Sequence, residues 1–268
     1  MQLIDGADAI AGDLPASATT RVEVPMEAGE SLGSGVHRLS AIATVRDNAA
    51  AALTELSHAS DDPVLTIGGD CAADLAGVRH AVASHEAGEV AVVWLDAHGD
   101  LHTPESSPSG AFHGMVLRAL LGDGADPLAV RDGIRLAPNQ VVLAGTRQLD
   151  DGEVAFIDEN GIRVVSADEL RTPDALVDAV GATGATSVYL HIDLDVLDPG
   201  AIAGVQFPEP FGPDSDELVA AIRALRERFG LAGAAITEFA PRSPDAAADD
   251  LPVILRVLGA LTAPLERD

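Results

Sequence analysis

The chain has 268 residues, 47% of them hydrophobic, and carries 43 Asp and Glu against 16 basic residues, for a formal net charge of −27. No lysine occurs, so every basic residue is an arginine. This balance excludes the basic face that nucleic acid or an anionic membrane would need, and the apolar content excludes a disordered chain. Cys71 stands alone, which excludes an intrachain disulfide and fits a reducing compartment. No apolar run reaches the ~20 residues that span a bilayer. No basic segment followed by an apolar core opens the sequence, so the expected location is the cytoplasm.

In chain order the hydrophobic periodicity predicts a helix over residues 39–58, a strand over 63–67 and a helix over 72–85. A strand over 90–95 and a helix over 112–121 follow, then a strand over 140–144 and a helix over 152–160. The remainder reads as strand 162–165, helix 173–180, strand 187–192, helix 214–229, strand 232–237 and helix 245–261. The strands are almost continuously apolar, as expected when both faces of a parallel sheet are covered. Asp214 with Glu217 three residues on is a capping-box pattern. Single helices between strands imply βαβ crossovers and a three-layer α/β/α sandwich with a mostly parallel central sheet. Neither linker nor repeat interrupts the pattern, so residues 1–268 read as one domain.

Two bursts of ligand-type residues follow predicted strands. The first is Asp96-Ala97-His98-Gly99-Asp100, and the second runs from His191 through Asp193 and Asp195 to Asp198-Pro199. Asp96, His98 and Asp100 alternate, as do Asp193 and Asp195, so in extended chain each set shares a face. Charges at the ends of buried strands are costly unless compensated, and two metal ions would compensate them. Mixed carboxylate and imidazole donors suit Mn, Fe, Co, Ni or Zn better than Ca or Mg. For the first burst the blander alternative is a loop in which the aspartates cap a helix and His98 is solvated; in the second, Asp198 is expected to brace its own turn.

Gly68-Gly69-Asp70-Cys71 follows the first strand, with glycines for the tight turn and Asp70 as a possible helix cap. It lacks the Lys-Ser/Thr of a phosphate loop. Read alone, Cys71 is a small buried hydrophobe.

Together these segments resemble the ureohydrolase family of arginases, agmatinases, formiminoglutamases and guanidino-acid hydrolases. The resemblance rests on Gly68-Gly69-Asp70-Cys71, Asp96 to Asp100 and Asp193 to Pro199, and extends over about 64–241. It implies an arginase-like fold and two Mn²⁺ ions, one amid Cys71, Asp96, Asp100 and Asp193 and the other amid Asp96, His98, Asp193 and Asp195. A metal-bridging hydroxide would then attack a guanidinium or amidine carbon. The resemblance further implies that Asp100 relays the proton, that His113 shuttles protons and that Glu238 pairs with the guanidinium. Read without it, His113 is a helix-start histidine and Glu238 a strand-end carboxylate.

The loop from Leu101 to Pro104 with Ser109-Gly110 resembles the arginase branch, and Cys71 with the run from Gly99 to Glu105 resembles the N-hydroxyarginine amidinohydrolase branch. The resemblance implies that His102, Ser109, Asp150 and Glu153 contact the amino-acid end of the substrate. Asp150 and Glu153 also read as an acidic helix start favoured by the dipole. Cys71 stands where most members carry histidine. A thiolate is softer than imidazole, so another divalent metal competes at that ion. The implied activity is hydrolysis of arginine or N-hydroxyarginine to release urea or hydroxyurea. The alternatives are a formiminoglutamate or guanidino-acid hydrolase and a metal-poor, non-catalytic relative. The implied partners are a small cationic guanidino substrate and further copies of the chain, as a trimer or hexamer.

Overall fold

The computed structural model describes residues 2–264. Its strands are β1 (Leu65–Ile67), β2 (Val90–Leu95), β3 (Val141–Ala144), β4 (Arg163–Val165), β5 (Ser187–Asp193) and β6 (Gly230–Thr237). They form one sheet in the order β1-β6-β5-β2-β3-β4, and every neighbouring pair is parallel. The helices are α1 (Gln2–Ala11), α2 (Leu39–Ala59), α3 (Leu75–Ala83), α4 (Val116–Leu120), α5 (Asp151–Asn160), α6 (Ala167–Leu170), α7 (Pro173–Gly181), α8 (Ser215–Arg228) and α9 (Pro244–Thr262).

Strand alternation divides the interior into two cores. Ala91, Val93 and Leu95 of β2 and Val188, Leu190 and Ile192 of β5 pack with apolar residues of α1, α7, α8 and α9. Val90, Val92 and Trp94 of β2 and Tyr189 of β5 pack with residues of α2, α3, α4 and α5 on the other face. Both faces are covered by packed helices, which explains the uninterrupted apolar runs. Each fully buried Leu, Ile or Val contributes roughly 1.5–3 kcal/mol through burial. The expected three-layer sandwich is therefore observed.

The winding reverses between β2 and β5. From β2 the chain proceeds to β3 and β4 on one side, and from β5 to β6 on the other. Ligands in open α/β sheets bind beyond the carboxyl ends of strands at such a reversal. Asp96 follows β2 and Asp193 ends β5, so the two acidic clusters meet there.

Four helical elements differ from the sequence reading. Residues 72–85 and 112–121 are each split into a 3₁₀ turn, Cys71–Asp74 or Phe112–Met115, followed by α3 or α4. At the second break Met115 adopts φ −123° and ψ −2°, outside the helical basin. Helix α1 is not among the predicted elements, although Leu3, Ala7, Ile10 and Ala11 lie at helical spacing. It forms through packing: Ile10 is fully buried, and a Cβ on Gly6 would sit 2.0 Å from the Phe239 carbonyl oxygen. Helix α6 is a single turn, capped reciprocally by Ser166 and Glu169. The capping box expected at α8 is present, with Asp214 accepting from the Asp216 and Glu217 amides.

Candidate metal centre

The site is assembled by sheet register. Trp94 lies opposite His191 across the β2–β5 pair, and Thr237 of β6 lies opposite Asp193. Side chains two residues apart share a face. Asp96 therefore follows Trp94 on one face, and Asp193 follows His191 on the same one. A 3₁₀ turn over Leu194–Val196 brings Asp195 back beside Asp193, whose Oδ1 accepts from the Asp195 amide at 2.8 Å. Gly68 and Gly69, with φ of 91° and 73°, turn the chain after β1 and deliver Cys71. A Cβ on Gly68 would lie 2.4 Å from Ala7, so this turn needs glycine. Asp70 caps the following 3₁₀ turn through the Ala72 amide at 3.1 Å, as anticipated.

All six predicted metal ligands converge. His98 Nδ1 lies 3.0 Å from Asp195 Oδ2 and 3.4 Å from Asp96 Oδ1. Asp96 Oδ1 accepts from the His98 amide at 2.6 Å, and its Oδ2 accepts from Trp94 Nε1 at 3.1 Å. Asp195 Oδ1 accepts from the Ala97 amide at 3.1 Å. On the other side the Cys71 thiol donates to Asp193 Oδ2 at 3.2 Å. Ligand atoms of Cys71, Asp96 and Asp100 lie within 4.8 Å of one another, as do those of Asp96, His98 and Asp195. Asp198 stays outside, bracing its turn through the Gly200 and Phe211 amides as expected.

Asp100 and Glu238 both adopt left-handed backbone, with φ of 51° and 64°. A non-glycine residue there is strained by about 1–3 kcal/mol, and such residues gather at functional sites. Among the described residues, Asp100 Oδ2 and both carboxylate oxygens of Glu238 are buried without a hydrogen-bond partner. Buried polar atoms are normally paired, so these three point to a ligand.

The charges of the protein alone do not balance. Burial, then the charge of Asp96, pushes the Asp100 carboxyl well above the usual range. Burial, then Asp195 and Asp96, does the same to Asp193. Glu238 is raised to about 9 by burial, reinforced by Asp70, Asp195 and Asp96. Asp195 rises to about 6, first by burial and then by Asp96. Burial, Asp100 and Asp193 push the Cys71 thiol far up. His98 is the exception: burial lowers it, but Asp195 and Asp96 outweigh that and bring it to about 11. Carboxylates packed this closely ionise together only when cations neutralise them. The orphaned oxygens and this like-charge crowding fit a pair of divalent ions.

The outer residues lie around this cluster. His113 Nδ1 is 3.6 Å from Glu238 Oε1, and Phe207 stacks on the His113 ring at 5.3 Å. His102 Nε2 lies 3.3 Å from Asp150 Oδ2. Asp150 Oδ1 caps α5 through the Gly152 and Glu153 amides. Glu153 is buried and spends its oxygens on the Leu101 and Asp150 amides, both at 3.2 Å. Asp150 and Glu153 thus form the acidic helix start that is the plainer reading of this pair. Ser109 is exposed and accepts from the Ala111 amide at 3.2 Å.

A family model described as the Arginase family matches residues 10–250. The chain belongs to the arginase family. Its members hydrolyse guanidino and amidine C–N bonds, and this chain is a hydrolase of that class. It is 34% identical over 244 residues to an arginase of Bacillus caldovelox, covering 86% of this chain and 76% of the relative. It is also 34% identical over 201 residues to an N(omega)-hydroxy-L-arginine amidinohydrolase of Streptomyces lavendulae, covering 73% and 67%. In fold it is similar to the Entamoeba histolytica arginase solved with L-ornithine, at a TM-score of 0.83 and 22% identity over 97% of this chain and 93% of that one.

Four parts of this arginase-family site escaped the sequence reading. Trp94 ties β2 to Asp96. His191 and Asp74 form a fully buried pair at 2.9 Å. Tyr189 joins them by donating to Asp74. Arg147 donates to the carbonyls of Gly145, Asp195, Val196, Leu197, Glu209 and Pro210, pinning the loop after Asp195. Period-2 alternation along Tyr189, His191 and Asp193 was the available signal for the strand residues. Arg147 gives none, since its partners are backbone atoms distant in sequence.

Proposed function

We propose that this chain hydrolyses a guanidino amino acid, arginine or a close analogue such as N-hydroxyarginine, with two Mn²⁺ ions as its cofactor. The observation that carries this reading is Glu238: a buried carboxylate with neither oxygen hydrogen-bonded, beside the acidic cluster. A forked guanidinium is the cation that matches two such oxygens at once. Cys71, Asp96, Asp100 and Asp193 would hold one ion, and Asp96, His98, Asp193 and Asp195 the other. Bound there, the ions supply positive charge beside the reacting carbon and lower the pKa of water toward about 7.

The remaining work belongs to the protein. Glu238 orients the guanidinium so that its central carbon faces the cluster. The unpartnered oxygen of Asp100 accepts a proton from the attacking water. The water's hydroxyl adds to that carbon, the bond from the carbon to the side-chain nitrogen breaks, and the proton passes to the departing amine. His113, beside Glu238, exchanges protons with solvent during this transfer. Burial lowers the His113 pKa, which favours the neutral form that accepts a proton. Asp150, His102 and Ser109 line the approach and would meet the substrate's amino-acid end, and Glu153 holds the loop beneath them. The 34% identity to an N(omega)-hydroxy-L-arginine amidinohydrolase, together with Cys71, supports N-hydroxyarginine beside arginine as a substrate.

The test is a panel of arginine, N-hydroxyarginine, agmatine, formiminoglutamate and guanidino acids offered to the Mn²⁺-loaded protein. Release of urea or hydroxyurea from arginine or N-hydroxyarginine is expected. Release only from formiminoglutamate would reassign the substrate, and no turnover of any compound would overturn the reading. We further propose one domain over 1–268, a cytoplasmic location and a trimeric or hexameric assembly. Light scattering reads the assembly directly.

A further inference from the structure

His191 has no role in the reading above, yet its surroundings are built around it. The ring is fully buried on β5. It stacks on Trp94 with centroids 3.5 Å apart and planes 9° from parallel. Its Nδ1 is 2.9 Å from Asp74 Oδ2, while Asp74 Oδ1 accepts from the Tyr189 hydroxyl. A Cβ on Gly77 would sit 2.4 Å from the Tyr189 hydroxyl oxygen and 2.6 Å from Asp74 Oδ1, so α3 makes room for this pair with a glycine. Cys71 and Asp74 lie at the two ends of one 3₁₀ turn, and residues three apart eclipse in that geometry. One turn thus serves the acidic cluster with the thiol and His191 with the carboxylate.

His191 Nε2 is buried and has no hydrogen-bond partner. When Nδ1–H is donated to Asp74, Nε2 carries a lone pair. Leaving such an atom unpaired costs about 1–3 kcal/mol. A ring nitrogen of His191 lies within 4.8 Å of ligand atoms of Cys71, Asp96 and Asp100. A carboxylate on one ring nitrogen is the usual support for a histidine whose other nitrogen binds metal.

We propose that His191 Nε2 ligates the ion on the Cys71 side, beside Cys71, Asp96 and Asp100, with Asp74 and Tyr189 positioning the ring. The proposal rests on the two-metal reading of the site and extends its ligand set. It also accounts for Cys71: the imidazole that the neighbouring strand supplies compensates for the one absent from that turn. A thiolate and an imidazole beside three carboxylates form a softer set than that around His98, so Zn²⁺ or Co²⁺ competes with Mn²⁺ better on this side.

The experiment counts metal by mass spectrometry and records Co²⁺ absorption and Mn²⁺ electron spin echo modulation. It uses wild type, His191→Phe, Asp74→Asn and Cys71→Ser, each with an EDTA melting curve to confirm folding. Wild type is expected to hold two ions, with ¹⁴N modulation from two imidazoles and a thiolate-to-Co²⁺ band. His191→Phe keeps the stack on Trp94 and should hold one ion, with one imidazole in the modulation. Asp74→Asn should weaken the second ion by about 10–100-fold, and it serves as the decisive variant should His191→Phe not fold. Cys71→Ser should lose the charge-transfer band. Two ions with unchanged affinity and modulation in His191→Phe, or unchanged second-ion affinity in Asp74→Asn, would overturn the proposal, as would a wild type that holds a single ion. Loss of the second ion in His191→Phe, together with a wild type that cleaves no guanidino compound, would sink the substrate reading and leave the ligand assignment standing.

Discussion

The two halves of the acidic cluster are held in different ways. Around His98 the protein satisfies its own carboxylates: the amides of Ala97 and His98, the Trp94 indole and the His98 ring reach Asp96 and Asp195. Around Cys71 the buried polar atoms are largely unanswered, with Asp100 Oδ2, His191 Nε2 and both Glu238 oxygens lacking a hydrogen-bond partner. The first half keeps its shape through the backbone. The second half depends on what binds it. A site of this kind separates preorganisation from affinity: one side positions, and the other side carries strain and desolvation that ligands relieve.

The largest expected effect comes from joining the halves. Asp96 belongs to both groups, so Asp96→Asn should remove both ions. It should also lower kcat by more than the ~10–100-fold that losing a supporting partner costs. Retention of two ions in this variant would show that the halves do not share a ligand. Glu238→Gln is expected to leave metal content intact and to cost substrate two charge-assisted hydrogen bonds, at roughly 1.5–3 kcal/mol each. Steady-state kinetics beside metal counting distinguishes that outcome from a metal-site defect.

The comparison sharpens again in the absence of metal. Glu238 has its pKa raised from 4.5 to about 9, with burial as the main cause. The folded state then holds a proton that the unfolded state releases. Its stabilising effect is fully present below about 4.5 and is lost as pH rises toward about 9. Asp100 and Asp193 shift in the same direction. The melting temperature in EDTA should therefore fall as pH rises through this window, and Mn²⁺ should restore it most at the alkaline end. A pH-independent gain from Mn²⁺ would indicate that the buried carboxylates do not carry the binding. The smallest effect is expected outside both halves. Asp150→Ala removes the α5 cap and should cost about 1 kcal/mol of stability, with a modest rise in KM and unchanged metal content.

Much of this arrangement was readable in the sequence because strand periodicity is strong where a sheet is covered on both faces. The six strands emerge from apolar runs, and Asp96, His98, Asp100, Asp193 and Asp195 stand out as charges where those runs end. Elements that exist by packing were not readable. Helix α1 carries a short apolar stripe, but the approach of Gly6 to Phe239 that fixes it in place is visible only in the fold. The breaks after Asp74 and at Met115 are departures from helical geometry inside apolar sequence that looks continuous. His191 was visible as a residue in the second burst, but not its use. The Asp74 pairing spans 117 positions, and only the fold brings it about. The same holds for Glu238, whose importance lies in what its oxygens lack.

The claim on which the rest stands is that acidic residues from β2 and β5 enclose two divalent cations at the reversal of the sheet. Diffraction from Mn²⁺-soaked crystals, collected at the manganese absorption edge, tests it directly. The account predicts two anomalous peaks, one bordered by His98 and Asp195 and one by Cys71 and Asp100, with Asp96 and Asp193 between them. A map with no peak at these residues, or with one ion on the His98 side and an ordered side chain filling the other position, would contradict it.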